Sequence, residues 1–319
     1  MDALSDVLRL LKPRTYITAG LDAGGRWGVR FAGHAGRIKC YAVTKGECWL
    51  QVDDVAEPTR LRAGDCFVLP GGRGFTLASE LDVAPLSARH VFEGAQQGGV
   101  VVLQGGGEFF FMGSRFDVDA TQAATLLGAL PPLLHLMSSN GQATLRWLIE
   151  RMMEEARGRQ AGASLAANHL AQLMLLQVLR QHVASRDVDG IGWFFALADP
   201  RLSQALAAMH ADPARRWTLQ ALAQEAGMSR AVFALRFREK VGETPIAYLT
   251  RWRMQLAAEQ LVQGGRSLAD TAASLGYESE NAFNTAFKRL MGCSPRRYVR
   301  TRLSILTGSA HHGGDWSAR

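Results

Sequence analysis

Residues 226–237 read AGMSRAVFALRF, and residues 275–290 read LGYESENAFNTAFKRL. Each stretch sets a glycine near its start and two phenylalanines four positions apart: Phe233 and Phe237, then Phe283 and Phe287. Phe233 and Phe283 are fifty residues apart, as are Phe237 and Phe287, Gly242 and Gly292, and Pro245 and Pro295. The turn glycines Gly227 and Gly276 are forty-nine apart, so the second turn is one residue longer. Landmarks held at one spacing mark a duplicated supersecondary unit.

Each unit reads as helix, tight turn, helix. In the first, TLQALAQEA leads into the turn at Gly227, and Ser229 stands where it would N-cap a second helix reaching about Val241. Gly242 suits the left-handed position that closes this helix, and Pro245 suits the first turn of the next. SLADTAASL, Gly276, Ser279, a helix to about Met291, Gly292 and Pro295 repeat the plan. Phenylalanines at i and i+4 share one helix face. Buried, they turn the opposite face outward, as in a helix-turn-helix whose second helix enters the DNA major groove.

Between the units, PIAYLTRWRMQLAAEQLVQ reads as one helix of nineteen residues, about 28 Å long at about 1.5 Å per residue. A rod of that length would hold two recognition helices close to one DNA turn apart, ~34 Å. Charge separates this reading from a helical array that binds protein. The net charge of the 319-residue chain is +7. Residues 199–302 carry 16 Lys and Arg against 9 Asp and Glu, whereas the first 198 residues carry 19 of each. Such concentration of positive charge suits a polyanion.

The rest of the chain reads differently. Residues 27–115 hold short segments rich in Val and aromatics, separated by Gly, Pro and Asp, a pattern of an antiparallel barrel or sandwich. Residues 121–184 switch to helical periodicity. Within them, SLAANHLAQLMLLQVLRQHV is apolar on almost every side from Leu173 to Leu179, which implies burial on both faces, with one face on the strand-rich region and the other on a second subunit, or else a plain interior helix. RDVDGIG at 186–192 reads as a linker and the Gly- and Ser-rich end as a disordered tail. The first residues, MDALSDVLRLLKPRTY, carry no secretory pattern, and LLQVL and WFFALA are too short to cross a bilayer. Four cysteines, Cys40, Cys48, Cys66 and Cys293, make no disulfide framework, so a cytoplasmic protein is expected.

Residues 199–302 resemble the AraC/XylS family of transcription regulators along WTLQALAQEAGMSRAVFALRFREKVGETPIAYLTRWRMQLAAEQL and SLADTAASLGYESENAFNTAFKRLMGCSPRRYVRTRL. MDALSDVLRLL and LRAGDCFVLPGGRGFTL resemble the cupin-type N-terminal domain of the subgroup that includes the reactive-chlorine-responsive regulator. The resemblance implies an α+β chain of two domains. A cupin-like β-barrel with helices, for sensing and dimerisation, would occupy 1–185 and a linker 186–198. An all-α domain with two helix-turn-helix units joined by a long helix would occupy 199–302, and a disordered tail 303–319. The implied function is sequence-specific DNA binding, with activation more expected than repression. The implied partners are double-stranded promoter DNA, RNA polymerase, a small-molecule effector and a second copy of the chain.

The positions that meet bases in this family fall on Ala231, Ala234 and Leu235, and on Asn281, Ala282 and Thr285. Leu235 and Thr285 depart from relatives, which often carry Arg there. The first set contacts thymine methyls but makes no bidentate hydrogen bond, whereas Asn281 is suited to adenine. Arg230, Arg236, Arg238, Arg251, Arg253, Arg296 and Arg297 are phosphate candidates, with Arg300 beside them. Trp252 within RWRM reads as core.

Cupin enzymes hold a metal with two close histidines, a carboxylate and a later histidine. The strand-rich region has no HxH pair, Phe75 follows FVLPGGRG where metal cupins place a histidine, and His34 and His90 stand alone. No metal, cofactor or catalytic residue is therefore expected. A cupin-type metalloenzyme with a DNA-binding appendage, and a constitutive DNA binder with an inert barrel, are the competing readings. Cys40, Cys48 and Cys66 would sense oxidants only if exposed with a lowered pKa, and otherwise serve as small core hydrophobes.

Overall fold

The computed structural model describes residues 2–96, 98–118, 123, 127–128, 130–137, 143–158, 160–184 and 190–309. They fall into two compact units, one drawn from 12–188 and the other from 189–319 together with the first eleven residues.

The first unit is a two-sheet sandwich. Its strands are β1 (Arg14–Ile17), β2 (Gly20–Ala23), β3 (Gly28–Phe31), β4 (Arg37–Lys45), β5 (Glu47–Val52), β6 (Thr59–Arg62), β7 (Cys66–Leu69), β8 (Phe75–Ala78), β9 (Leu86–Ser87), β10 (Val100–Leu103), β11 (Phe109–Asp117) and β12 (Leu134–Leu136). One sheet runs β10-β2-β11-β4-β7-β12, with β1 also on β11, and the other runs β6-β5-β8-β3-β9. The expected barrel is thus two open sheets among the described residues. The chain changes sheet at Gly46, whose φ of 72° is left-handed and whose position leaves no room for a side chain against the Glu108 carbonyl.

Alternation along β4 explains its burial on both faces. Tyr41 and Val43 enter the core between the sheets with Leu21, Phe67, Phe75 and Phe111. Cys40 and Ala42 face the other way. The outer face of this sheet is covered at β1, β7 and β12 by a long helix, Ala163–Ala184. Phe75 stacks on Phe31 at 4.4 Å and is fully buried, so the place expected for a metal-binding histidine belongs to an aromatic core. His34 and His90 are exposed. Cys40, Cys48 and Cys66 are buried. Burial drives the Cys40 and Cys48 thiols well above the usual range and Cys66 up to about 12, the opposite of the lowered pKa that a redox-sensing thiol needs.

The second unit is helical. Numbered along the chain, the short helix Ala88–Val91 of the first unit is α2, Ala143–Arg157 is α3 and Ala163–Ala184 is α4. The second unit then holds α1 (Ala3–Leu11), α5 (Trp193–Ala196), α6 (Pro200–Ala211), α7 (Leu219–Glu225), α8 (Arg230–Val241), α9 (Pro245–Gln263), α10 (Leu268–Ser274), α11 (Glu280–Met291) and α12 (Pro295–Ser309). Three boundaries differ from expectation. The linker anticipated at 186–198 contains α5, whose four residues are all buried and which packs on α8; residues 186–189 lie outside the described residues. The last helix runs to Ser309, past residue 303, and the remaining ten residues lie outside the described set. The first eleven residues, expected to begin the sensing domain, join the helical unit.

The docking of α1 has a polar centre. Ala3, Leu4, Val7, Leu10 and Leu11 are buried as α1 packs on α6 and α9. Beside them, Asp6 Oδ2 lies 3.5 Å from His210 Nδ1. The other ring nitrogen of His210, Nε2, is hydrogen-bonded to the Tyr248 hydroxyl at 2.8 Å, and the ring stacks on Trp252 at 3.9 Å. Burial holds the His210 pKa below the usual histidine value, against the upward pull of Asp6 and Asp2.

A histidine kept neutral by folding contributes stability above its unfolded pKa, near 6.5, and loses it as pH falls toward its lower folded value. Thermal unfolding should therefore lose midpoint temperature below pH 6.5 in the natural chain, and His210→Phe, which keeps the stack on Trp252, should flatten that slope. Deleting residues 2–11 should lower the midpoint of the helical unit, because α6 and α9 lose their apolar cover; an unchanged midpoint would refute the docking.

The two turn glycines make a second, paired prediction. Both are left-handed, Gly227 at φ 59° and Gly276 at φ 80°. A Cβ on Gly227 meets open space, whereas one on Gly276 overlaps the Ala214 carbonyl oxygen. Gly227→Ala should cost about 1–2 kcal/mol, the price of a left-handed alanine, and Gly276→Ala clearly more, by denaturant unfolding.

Candidate nucleic-acid interface

The two halves of the helical unit are built by the same local devices. In α7, Gly227 N–H donates to Gln224 O and Met228 N–H to Ala223 O; in α10, Gly276 N–H donates to Ala273 O and Tyr277 N–H to Ala272 O. These are Schellman closures, which satisfy the last carbonyls of each first helix. Ser229 then accepts from Val232 N–H at 3.4 Å and Ser279 from Ala282 N–H at 3.2 Å, capping α8 and α11. Gly242 and Gly292 close these helices at φ 85° and 75°. Thr244 caps α9, with Pro245 in its first turn.

Packing repeats as well. Phe233, Phe237, Phe283 and Phe287 are fully buried. Phe237 meets Tyr248 edge-on at 5.9 Å, and Phe287 meets Tyr298 edge-on at 5.6 Å. The two tyrosines are themselves fifty residues apart. With one face locked by these rings, each recognition helix presents the opposite face. Ala231 and Leu235 on α8 and Asn281, Ala282 and Thr285 on α11 are exposed, and Ala234 is half-buried. Leu235 is 61% exposed. The Thr285 hydroxyl donates to the Asn281 carbonyl at 2.9 Å. Val232, 53% exposed and one place from Ala231, belongs to the same face. The fifty-residue pairing could have identified it, since it corresponds to Ala282. Lys288, exposed in the last turn of α11, was missed in the same way, since it corresponds to Arg238.

The arginines divide. Arg230, Arg238, Arg296, Arg297 and Arg300 are exposed. Arg236 Nε lies 2.5 Å from Asp199 Oδ2, and the other carboxylate oxygen of Asp199 caps α6. Arg251 is bound to Glu243. Arg253 donates to the Pro213 and Arg215 carbonyls at 2.6 and 2.9 Å, and burial lowers its pKa. These three are tied to their own fold. Trp252 is buried.

Among the described residues no three His, Cys, Asp or Glu side chains gather where a metal ion would sit, and no helix is long and apolar enough to cross a membrane.

Known proteins match along most of the chain. A cupin family matches residues 2–184 and a helix-turn-helix domain family matches residues 222–301. A putative AraC-like transcription regulator of Streptomyces lividans is 43% identical over 300 residues, covering 93% of this chain and 98% of its own. A second, from Streptomyces antibioticus, is 41% identical over the same shares. The RCS-specific HTH-type transcriptional activator RclR of Escherichia coli K12 is 29% identical over 302 residues, 93% of this chain and 97% of the relative. With a cupin-type unit ahead of a duplicated helix-turn-helix, this chain belongs to the AraC-like transcription regulators, which bind DNA.

Proposed function

We propose that the chain binds double-stranded promoter DNA in the cytoplasm as a homodimer, and activates transcription with RNA polymerase when its N-terminal unit registers a small-molecule or stress signal. The observation that carries the DNA-reading role is the duplicated recognition face, exposed twice in a segment with all the excess positive charge. In this reading α8 and α11 enter two successive major grooves. Ala231, Ala234 and Leu235 meet one set of base edges, and Asn281, Ala282 and Thr285 the other. Arg230, Arg238, Arg296 and Arg297 hold phosphates. Arg236, Arg251 and Arg253 serve the backbone of the fold first, and DNA only by exchanging their present partners.

Other parts rest on separate support. Activation follows the Escherichia coli relative, which is named a transcriptional activator. Homodimerisation is supported by Leu165 and Leu173, 62% and 46% exposed and eight residues apart on one face of α4. A regulator without catalytic chemistry fits the relatives' names and the aromatic core around Phe75.

Fluorescence anisotropy on duplexes from upstream of the chain's own gene, with a scrambled control, tests the reading. Tight, sequence-dependent binding with a steep negative salt slope is expected. Arg296→Ala or Arg297→Ala should reduce that slope by about 0.9 without changing sequence preference. Asn281→Ala should cost about 1–3 kcal/mol and relax the preference at one base pair. Equal, weak affinity for both duplexes would refute it.

A further inference from the structure

The fifty-residue duplication lets the two recognition faces be compared position by position. Ala231, Val232 and Leu235 on α8 stand where Asn281, Ala282 and Thr285 stand on α11. The frames are the same: serine caps, paired phenylalanines, an edge-on tyrosine and a left-handed closing glycine. The chemistry is not. On α8 the outward face has two large apolar side chains three residues apart, both more than half exposed, and neither offers a hydrogen bond. The nearest cation in sequence, Arg236, is held by Asp199. Exposed Arg230 and Arg238 flank the apolar group, so the surface suits a partner that is anionic at its margins and apolar at its centre. A major groove rich in thymine has that character, with phosphates at its rims and 5-methyl groups in its floor. Glu239, exposed one turn beyond Leu235, lies in the last turn of the helix, away from the N-terminal residues that reach base edges.

We propose that the two helix-turn-helix units read chemically different half-sites: α8 packs Val232 and Leu235 against thymine 5-methyl groups, while α11 reads adenine through Asn281. This rests on the DNA-reading function proposed above and assigns each half-site its chemistry. It makes Val232 a specificity-determining residue, and it makes the operator asymmetric within one protomer's site.

The test begins with the purified full-length chain and selection from a pool of randomised duplexes. Two motifs about one helical turn apart are expected, one T-rich and one containing a required A. Replacing thymine by deoxyuridine in the T-rich motif deletes only the methyl group and should weaken binding about four-fold per methyl contacted. Deoxyuridine in the other motif should change nothing, whereas 7-deazaadenine there should weaken binding. Leu235→Ala and Val232→Ala should lose affinity for the thymine duplex and little for its deoxyuridine counterpart. That non-additivity would not arise from a general loss of folding. Leu235→Arg should shift the selected base toward G in that motif alone. An enriched operator with full affinity after uridine substitution would overturn this inference and leave DNA reading intact. The same holds if Leu235→Ala and Val232→Ala bind both duplexes like the natural chain, in which case the apolar face serves a protein partner. Failure to enrich any sequence would overturn the DNA-reading function and this inference with it.

Discussion

Four phenylalanine rings orient the recognition surface. Phe233 and Phe237, and their counterparts Phe283 and Phe287, sit at i and i+4 on their helices and are completely buried. Once those rings face inward against Tyr248 and Tyr298, helical geometry leaves no choice about which residues point out. Everything proposed for the surface, from Leu235 to Asn281, follows from that constraint. The left-handed glycines and serine caps set where each helix starts and stops, and the rings set its rotation. Neither would suffice alone, because a helix of correct length turned by one residue, 100°, would show a different face.

This part of the molecule was legible because its determinants are local. Caps, closing glycines and i,i+4 pairs act over a few residues, and duplication prints each of them twice. The tyrosine pair escaped notice although it keeps the same fifty-residue interval, as did Val232, because a lone valine beside a phenylalanine reads as core. What could not be read was set by pairing at long range. Whether strands close into a ring depends on which edges meet, and the corner at Gly46 sends β5 to the other sheet with only one residue of warning. The partners of Arg236, Arg251 and Arg253 likewise became visible only in three dimensions.

The strand-rich unit offers a contrast in what buried groups do. Cys48 is buried in the core between the sheets, Cys40 and Cys66 are buried on the outer side of the sheet that holds β4 and β7, and Phe75 fills its place with an aromatic stack. Cys48 and Phe75 thus help to make the interior between the sheets apolar. In the helical unit, by contrast, the buried polar cluster of Asp6, His210 and Tyr248 joins segments far apart in sequence, and its titration ties the stability of that unit to pH.

The docking of α1 also has a consequence for synthesis. Its groove on α6 and α9 is encoded 189 to 252 residues later (200 − 11 and 263 − 11), so at about 5–20 residues per second the helix leaves the ribosome about ten seconds or more before its partner surface exists. During that interval its apolar stripe has only solvent, chaperones or neighbouring chains for company. The sandwich, which lies between the two segments in sequence, can complete its strand pairings first. Final burial of α1 then closes a loop around a whole folded unit, one of the highest-contact-order events in the chain.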